Sequence, residues 1–307
     1  MSARTVSVII PTYNRADLLS DAIDSVLAQD YPLVEVVVVD DGSTDGTEAV
    51  ARRFGDRIKY IKRKNGGPAA ARNTGIAASS GEIIALLDSD DLWLPGKLRK
   101  QMPLFGTPAT ALVHSAVTVH DIPISKSWYD YPGDTVDFHA VMRSRGFQVP
   151  GVAFRRSLFN EIGPFDESLP YGREDIDYWL RATAKYPSRG IPEALAVYRV
   201  HGMNISRGFS SLREGVEIYR KYLGVHPKCR ECQEAFATML RQGRRLQYDG
   251  LCRASSEELA AGHYRSAARL RIAAVATAPA LACTRFASGV LRRFMREHPA
   301  EPEKECK

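Results

Sequence analysis

A mostly parallel α/β sheet flanked by helices is the fold class that this 307-residue chain predicts, and three observations predict it. Through the first hundred or so residues, apolar runs of strand length alternate with stretches of helical period, a βαβαβαβ rhythm. The runs at 6–10, 34–39 and 83–87 are almost continuously apolar, as strands buried on both faces are. Three strands run into polar signatures, PTYN, DDGS and DSDD. In a parallel sheet such ends share one edge, and ligands bind there, where strand order reverses.

Taken in order, residues 6–10 form the first strand. Leu18, Leu19, Ala22, Ile23, Val26 and Leu27 then recur at helical spacing, with Asn14 placed to cap and Asp17 as the acid three residues on. The second strand, 34–39, runs into DDGSTDGT, a turn-forming cluster. A short helix over 48–54 and a modest strand near 58–61 follow. KNGGPAAARNTGIAASSG reads as a glycine loop opening an alanine-rich helix that stops before Gly81, and 83–87 is the fourth strand. Beyond 105 the pattern loosens into strands over 111–119 and 195–200, and a helix over 175–185 that turns Ile176, Trp179 and Leu180 inward. Near Ser211 the composition shifts to helical segments rich in Ala, Leu and Arg, so a soft boundary separates 1–210 from a C-terminal α-helical extension, 211–307.

Bulk properties narrow the class. Hydrophobic content of 44% and charged content of 25% are ordinary for a globular protein. No apolar run reaches the roughly 20 residues of a membrane span. The longest, 272–282, contains Pro279, and the N-terminus enters a strand at once, so a soluble or peripheral protein is expected. A net charge of +6 and pI near 9.0 permit a polyanionic partner without choosing one. Five cysteines give no disulfide framework and suit a reducing compartment. Cys229 and Cys232 form one C-x-x-C, with His226 and Cys252 as candidate zinc partners. A structural zinc site usually shows two paired ligand sets, so incidental thiols are the expectation.

The stretch IIALLDSDDLW places Asp88, Asp90 and Asp91 within four positions at a strand end. Two such charges about 4 Å apart repel by roughly 1 kcal/mol in water and nearer 4 at a protein surface, so something must compensate. A hard divalent cation would, since magnesium and manganese take carboxylate oxygens beside substrate phosphates. Side-chain alternation in an extended chain puts Asp88 and Asp90 on one side and Ser89 on the other. The competing reading is a capping cluster for the helix after Leu94. Asp41 stands at the ligand edge as an acceptor for a base or ribose, Asp40 as a structural turn residue. Gly66 and Gly67 let backbone approach a ligand, and Arg72 offers a fork for phosphate; a plain turn and cap explains them equally.

In YGREDIDYWLR, Glu174 and Asp175 open an amphipathic helix, where the dipole favours acids in any case. The functional reading makes Asp175 a general base backed by Trp179 and Leu180, with the helix N-terminus lowering its pKa and Asp177 facing solvent. His201, just after a strand, reads as a packing residue or a metal ligand.

Assembled, these segments resemble a family 2 glycosyltransferase with the GT-A (Rossmann-like) fold. VSVIIPTYNRADLLSDAIDSVLAQDYPLVEVVVVDDGSTDGT matches the family's opening, and NGGPAAARNTGIAASSGEIIALLDSDDLWLPGKLRKQ continues to its metal motif. FRRSLFNEIGPFDESLPYGREDIDYWLRA and YRVHGMNIS match its acceptor side, so the likeness covers residues 4 to about 207. The resemblance implies a catalytic domain over 1–210, with a donor half to about 105 and an acceptor half over 106–210. It implies inverting transfer of a sugar from a nucleotide diphosphate, UDP being the commonest, with Mn2+ or Mg2+ as cofactor. Thr12 and Asp41 would contact the nucleoside, Arg72 the base or phosphates, and Asp88 the ribose side. Asp90 and His201 would hold the metal, Asp175 would be the catalytic base, and Glu174 would lie beside the acceptor hydroxyl. The chain lacks the Gln-x-x-Arg-Trp of processive members, so a single-addition enzyme is expected. Its partners would be the nucleotide sugar and a glycan, lipid-linked or small-molecule acceptor, with no nucleic acid, in the cytoplasm.

Outside the resemblance, Tyr264 to Arg296 holds seven arginines and no acid. A basic amphipathic pair lying peripherally on the inner face of an anionic membrane is one reading, and a packing appendage the other. Two rival functions remain at this level. A nucleotidyltransferase would share the sheet and carboxylates but want a glycine-rich basic loop where PTYNRA stands. A catalytically silent nucleotide-sugar binder with a helical recruitment tail would not need both Asp90 and Asp175.

Overall fold

A computed structural model describes residues 4–123, 125–143, 146–169, 173–202, 212–225, 228–260 and 262–278. Strand β1 (Val6–Thr12) is fully buried and pairs in parallel with β2 (Val34–Asp40) on one side and β4 (Ile83–Leu86) on the other. β2 pairs in parallel with β3 (Lys59–Lys62). Strand order therefore reverses between β1 and β4, the kind of switch point at whose carboxyl ends ligands bind in such sheets. The apolar composition follows from burial on both faces: Val6, Val8, Ile9 and Ile10 are all fully enclosed.

Past β4 the sheet turns antiparallel. β9 (Val152–Arg155) lies between β4 and β6 (Leu112–Asp121) and opposes both. β10 (Ser188–Val200) then runs parallel to β6. β1, β2, β3, β4, β6 and β10 therefore share one direction, six of the ten strands. β5 (Leu92–Trp93) and β8 (Thr135–Val136) pair antiparallel with β10, and β7 (Lys126–Asp130) with β6. The sense of β10 matters to the site, because it delivers His201 to the edge that holds Thr12, Asp41 and Asp88.

Helix α1 (Ala16–Leu27) buries Leu19, Ala22, Ile23 and Val26, the stripe its spacing predicts. Its cap differs from expectation. Asn14 sits in the left-handed region (φ 52°), which its short polar side chain tolerates, and its Oδ1 accepts from the Thr44 N–H at 2.9 Å. Asp17 is exposed, and Asp45 Oδ2 accepts from the Ala16 N–H at 3.2 Å instead. The cap thus comes from the DDGSTDGT loop and fastens two strand ends together. α2 (Thr47–Arg52) follows β2, and α3 (Gly67–Ala77) packs so closely that a Cβ on Gly75 would lie 2.5 Å from Ile9. α4 (Lys97–Gln101) begins at Gly96, so none of the three aspartates caps it.

α5 (Phe138–Met142) packs against β8, α6 (Arg156–Ile162) against β9, and α7 (Glu174–Lys185) against both helices. α7 seats Tyr178 and Trp179 beneath Phe165, whose ring stacks on Tyr178 at 4.0 Å. α8 (Leu212–Val225), α9 (Arg230–Ala260) and α10 (Tyr264–Thr277) follow. Contacts divide the described chain into two compact units: the sheet with its helices and residues 217–236, and residues 212–216 with 237–278. In the second unit Tyr248, Ala274 and Ala278 are buried together, and Ser255 Oγ donates to the Ala267 carbonyl at 2.9 Å. Tyr264, Ile272 and Val275 stay exposed there. Among the described residues, no helix is long and apolar enough to cross a membrane.

Candidate functional site

The carboxyl edge of the sheet carries two connected groups. The first is at β1 and β2. The Asp41 N–H donates to the Thr12 carbonyl at 2.8 Å, which sets both residues at one rim. Asp41 is buried, and its carboxylate accepts from Arg63 Nη1 at 2.9 Å, from the Gly66 N–H at 3.1 Å and from the Gly67 N–H at 2.6 Å. Gly67 has φ +89°, a conformation that strains any residue with a Cβ, so the bend that turns its amide onto Asp41 requires glycine. The glycine loop is therefore held by Asp41 rather than left open to a phosphate. Asp40 takes the structural part foreseen for it, accepting from the Ser43 N–H at 2.7 Å and from the Tyr60 hydroxyl at 2.6 Å. Thr12 is buried and its Oγ1 has no partner, an orphaned donor at the rim.

The second group answers the puzzle of three carboxylates. They form a turn, with the Asp91 N–H bonded to the Asp88 carbonyl at 3.0 Å, so the alternation argued from an extended chain does not hold. Each acid finds its own partner. Asp88 Oδ1 accepts from Arg72 Nη2 at 2.8 Å; burial still pushes its carboxyl above the ordinary value, with Arg72 opposing. Asp90 Oδ2 lies 3.0 Å from His201 Nε2 and 3.4 Å from Arg15 Nε. Burial works against its charge, yet the His201 bond and the Arg15 cation hold it below the usual range. Asp91 Oδ1 accepts from the Arg199 N–H at 2.9 Å, and burial first, then the Asp90 and Asp88 charges, push its carboxyl well up. The β5–β10 register, Ala196 opposite Trp93, is what brings Asp90 and Asp91 alongside Arg199 and His201.

Arg72 joins this turn to α7. Its Nη1 donates to Glu174 Oε1 at 2.6 Å, and both side chains are nearly sealed from solvent, 4% and 3% exposed. The Arg72 fork thus bridges Asp88 and Glu174, with the ring of Phe165 against its guanidinium. Asp175, next to Glu174, keeps some solvent contact, and its Oδ1 accepts from the Ile176 N–H at 2.7 Å. The helix N-terminus was expected to lower its pKa. Instead, burial first and the Glu174 charge second push it from 3.8 up to about 7, with Arg72 opposing. Burial, with a second carboxylate adding to it, outweighs a helix terminus. Asp177, expected to face solvent, is buried: it accepts from Arg181 Nε at 2.8 Å and from the Tyr222 hydroxyl of α8 at 2.8 Å. Its three-residue spacing from Glu174 put it on the buried stripe, a signal that sequence reasoning passed over.

The structure therefore gathers Arg72, Asp88, Glu174 and Asp175 through one guanidinium, and Asp90 with His201 in direct contact. Thr12 and Asp41 form the neighbouring group, linked to Arg72 by α3. Arg15 and Arg199 were missed, although both flank quoted motifs. The donors fit a hard divalent cation: the Asp90 charge makes Asp88 harder to ionise, a repulsion a cation would relieve, and an imidazole nitrogen already faces Asp90.

Known proteins share this chain's sequence pattern and fold. The family model described as Glycosyl transferase family 2 matches residues 7–163, just over half of the chain. An uncharacterized glycosyltransferase of Rickettsia typhi is 35% identical over 212 residues, covering 64% of this chain and 64% of that protein. The putative teichuronic acid biosynthesis glycosyltransferase TuaG of Bacillus subtilis is 29% identical over 232 residues, covering 72% of this chain and 89% of its own. The match to the first relative thus leaves over a third of that protein's length unaligned. Among solved structures, a mannosyltransferase from Pyrobaculum calidifontis in complex with GDP-Man and Mn2+ superposes with a TM-score of 0.60 at 23% identity, over 94% of this chain and 81% of that one. S. aureus TarS residues 1–349 in complex with UDP-GlcNAc gives 0.59 at 22% identity, over 82% and 73%. The α/β fold is the one these proteins share.

Proposed function

The chain belongs to glycosyl transferase family 2, and from that premise we propose that it moves a sugar from a nucleotide diphosphate to a hydroxyl acceptor with inversion. The observation that carries this reading is the Asp88–Arg72–Glu174 bridge, which fixes Asp175 beside the donor-side carboxylates. Residues 1–105 would bind the donor, 106–210 the acceptor, and 211–307 would be a helical extension. Thr12 and Asp41 would face the nucleoside and Asp88 the ribose. Arg72 would act on the diphosphate mainly through Asp88. Asp90 and His201 would hold Mn2+ or Mg2+, which when bound supplies charge against a departing diphosphate.

Asp175, once ionised, takes the proton of the acceptor hydroxyl as oxygen attacks the anomeric carbon from the face opposite the leaving group. Configuration inverts because bond making and bond breaking lie on opposite faces. Glu174, held by Arg72, positions Asp175 and raises its basicity through like charge. A base with pKa about 7 matches the working pH of general base catalysis. The donors bound by the two structural neighbours, GDP-Man and UDP-GlcNAc, support a nucleotide sugar, and we place UDP first. The name of TuaG points to a glycan polymer as acceptor product. Among the described residues Cys229, Cys232 and Cys252 form no disulfide, which suits the cytoplasm.

A thermal-shift screen with UDP, TDP, GDP and CDP, with and without Mn2+, tests the site. Ligand at 100 times its Kd adds about 2.7 kcal/mol of stability. We expect a shift with one nucleotide that requires Mn2+ and disappears in Asp90→Asn. No shift with any of them removes the donor assignment. For the tail, α10 exposes Arg265 and Arg269 beside Tyr264 and Ile272, while Arg271 donates to Ser255 and Ser256 of α9; the other four predicted arginines lie outside the described residues. We assign this helix to an anionic membrane surface. The protein should float with vesicles containing phosphatidylserine and not with neutral ones, and recovery only from the soluble fraction would remove the assignment.

A further inference from the structure

A second donor set lies away from the carboxylates. His139 of α5, Cys229 before α9 and Cys232 in its first turn place one ligand atom each within 4.8 Å of one another. His139 Nε2 is 3.5 Å from Cys229 Sγ, and the Cys232 N–H donates to that sulfur at 3.4 Å. The other imidazole nitrogen, Nδ1, lies 3.1 Å from Glu231 Oε2. This arrangement fixes the tautomer: Nδ1 carries the proton toward the carboxylate, and Nε2 offers its lone pair to the space it shares with the two thiols. Histidines that ligate metals are oriented in this way by an outer carboxylate.

We propose that His139, Cys229 and Cys232 bind a zinc ion that fastens the start of α9 to α5. Two thiolates and an imidazole are borderline-soft donors, the set zinc takes in tetrahedral sites, with the fourth position left to solvent. The oxygen-rich pair Asp88 and Asp90 wants a harder cation, so the chain holds two donor sets that sort metals by softness. A disulfide between the two cysteines would leave His139 Nε2 facing a spent pair, with no account of its alignment by Glu231.

The sequence expectation was incidental thiols with His226 and Cys252 as candidate partners. Cys252 belongs to the second compact unit, and His226 lies outside the described residues. The third ligand comes instead from ninety residues upstream. The placement also has a use. Phe138, next to His139, meets the Tyr222 ring edge-on at 5.9 Å, and Tyr222 bonds Asp177 in α7, the helix that opens with Glu174 and Asp175. Zinc here would cross-link the root of the C-terminal helices to the helix pair that carries the proposed base.

The test is metal content of the full chain, purified from zinc-supplemented medium and dialysed against excess Mg2+. Wild type and Asp90→Asn should each keep stoichiometric zinc, while Cys229→Ser and His139→Ala lose at least tenfold. Because those variants can fail to fold, Co2+ is titrated into zinc-stripped wild type, where a thiolate-to-cobalt charge-transfer band is expected. Glu231→Gln, which removes no ligand, should weaken Co2+ affinity about tenfold. Zinc-free wild type with no cobalt band, zinc retained in Cys229→Ser, or a Cys229–Cys232 disulfide in the mass spectrum would each overturn the site. Asp90→Asn separates the two proposals, since its nucleotide shift is lost while its zinc stays.

Discussion

Asp175→Asn is expected to lower kcat by about a thousandfold, since a positioned general base contributes roughly 10²–10⁴. The same substitution is expected to stabilise the protein at neutral pH. A folded-state pKa of about 7 against an ordinary 3.8 means the folded chain binds the extra proton between those values. Stability from Asp175 is thus fully present below about pH 4, declines as pH rises, and is lost once the pH has passed about 7. Asparagine cannot ionise and so removes that decline. Asp175 keeps some solvent contact, which trims the effect to about 1–2 kcal/mol, or a few degrees in Tm. In wild type, kcat/KM should climb about tenfold per pH unit below 7 and level off above it. Melting curves at pH 5 and 8 read the first part, and initial rates across that range the second. An Asp175→Asn enzyme that turns over normally would sink the base assignment; one that is inactive but melts no higher at pH 8 would sink the ionisation argument.

The contrast between what the chain announces and what it conceals has a physical source. β1, β2 and β4 are legible because strands buried on both faces must be apolar throughout, and their polar ends mark the carboxyl edge. β5, β7 and β8 carry no such pattern; two of them are two residues long and exist because β10 offers an edge to pair with. Types of residue at the site were readable, but partners were not. Arg72 reads as a phosphate fork until folding places Asp88 16 positions away and Glu174 102 positions away on its two nitrogens. The α1 cap comes from Asp45 in another loop, and Asp177 is buried because Arg181, Lys221 and Tyr222 close over it. Local sequence states what a side chain can do, and long-range pairing decides which of its options is taken.

Arg72→Ala should be the most destabilising single change at the site. It removes the bidentate link between buried Glu174 and Asp88, and breaking a buried ion pair from one side costs about 3–5 kcal/mol. At that size Tm should fall by about 10 °C. Arg72→Lys keeps the charge but not the fork, since a single ammonium does not span both carboxylates, so it should recover only part of the loss. Glu174→Gln placed on Arg72→Ala should restore stability relative to the single variant, because a neutral amide costs less to bury than a carboxylate that has lost its Arg72 bond. The catalytic consequence runs through Asp175. Arg72 is the cation that opposes its raised pKa, so removing it moves the ionisation further up and shifts the pH–rate profile to the alkaline side. These readouts separate a bridge from a plain phosphate ligand. A ligand role predicts that Arg72→Ala melts like wild type and loses only the nucleotide-induced shift. A bridge predicts a lower Tm without any nucleotide, a displaced pH profile, and coupling to Glu174 in the double-mutant cycle. The first pattern would refute the bridge, and with it the claim that one guanidinium ties Asp88 to Glu174, the neighbour of the proposed base.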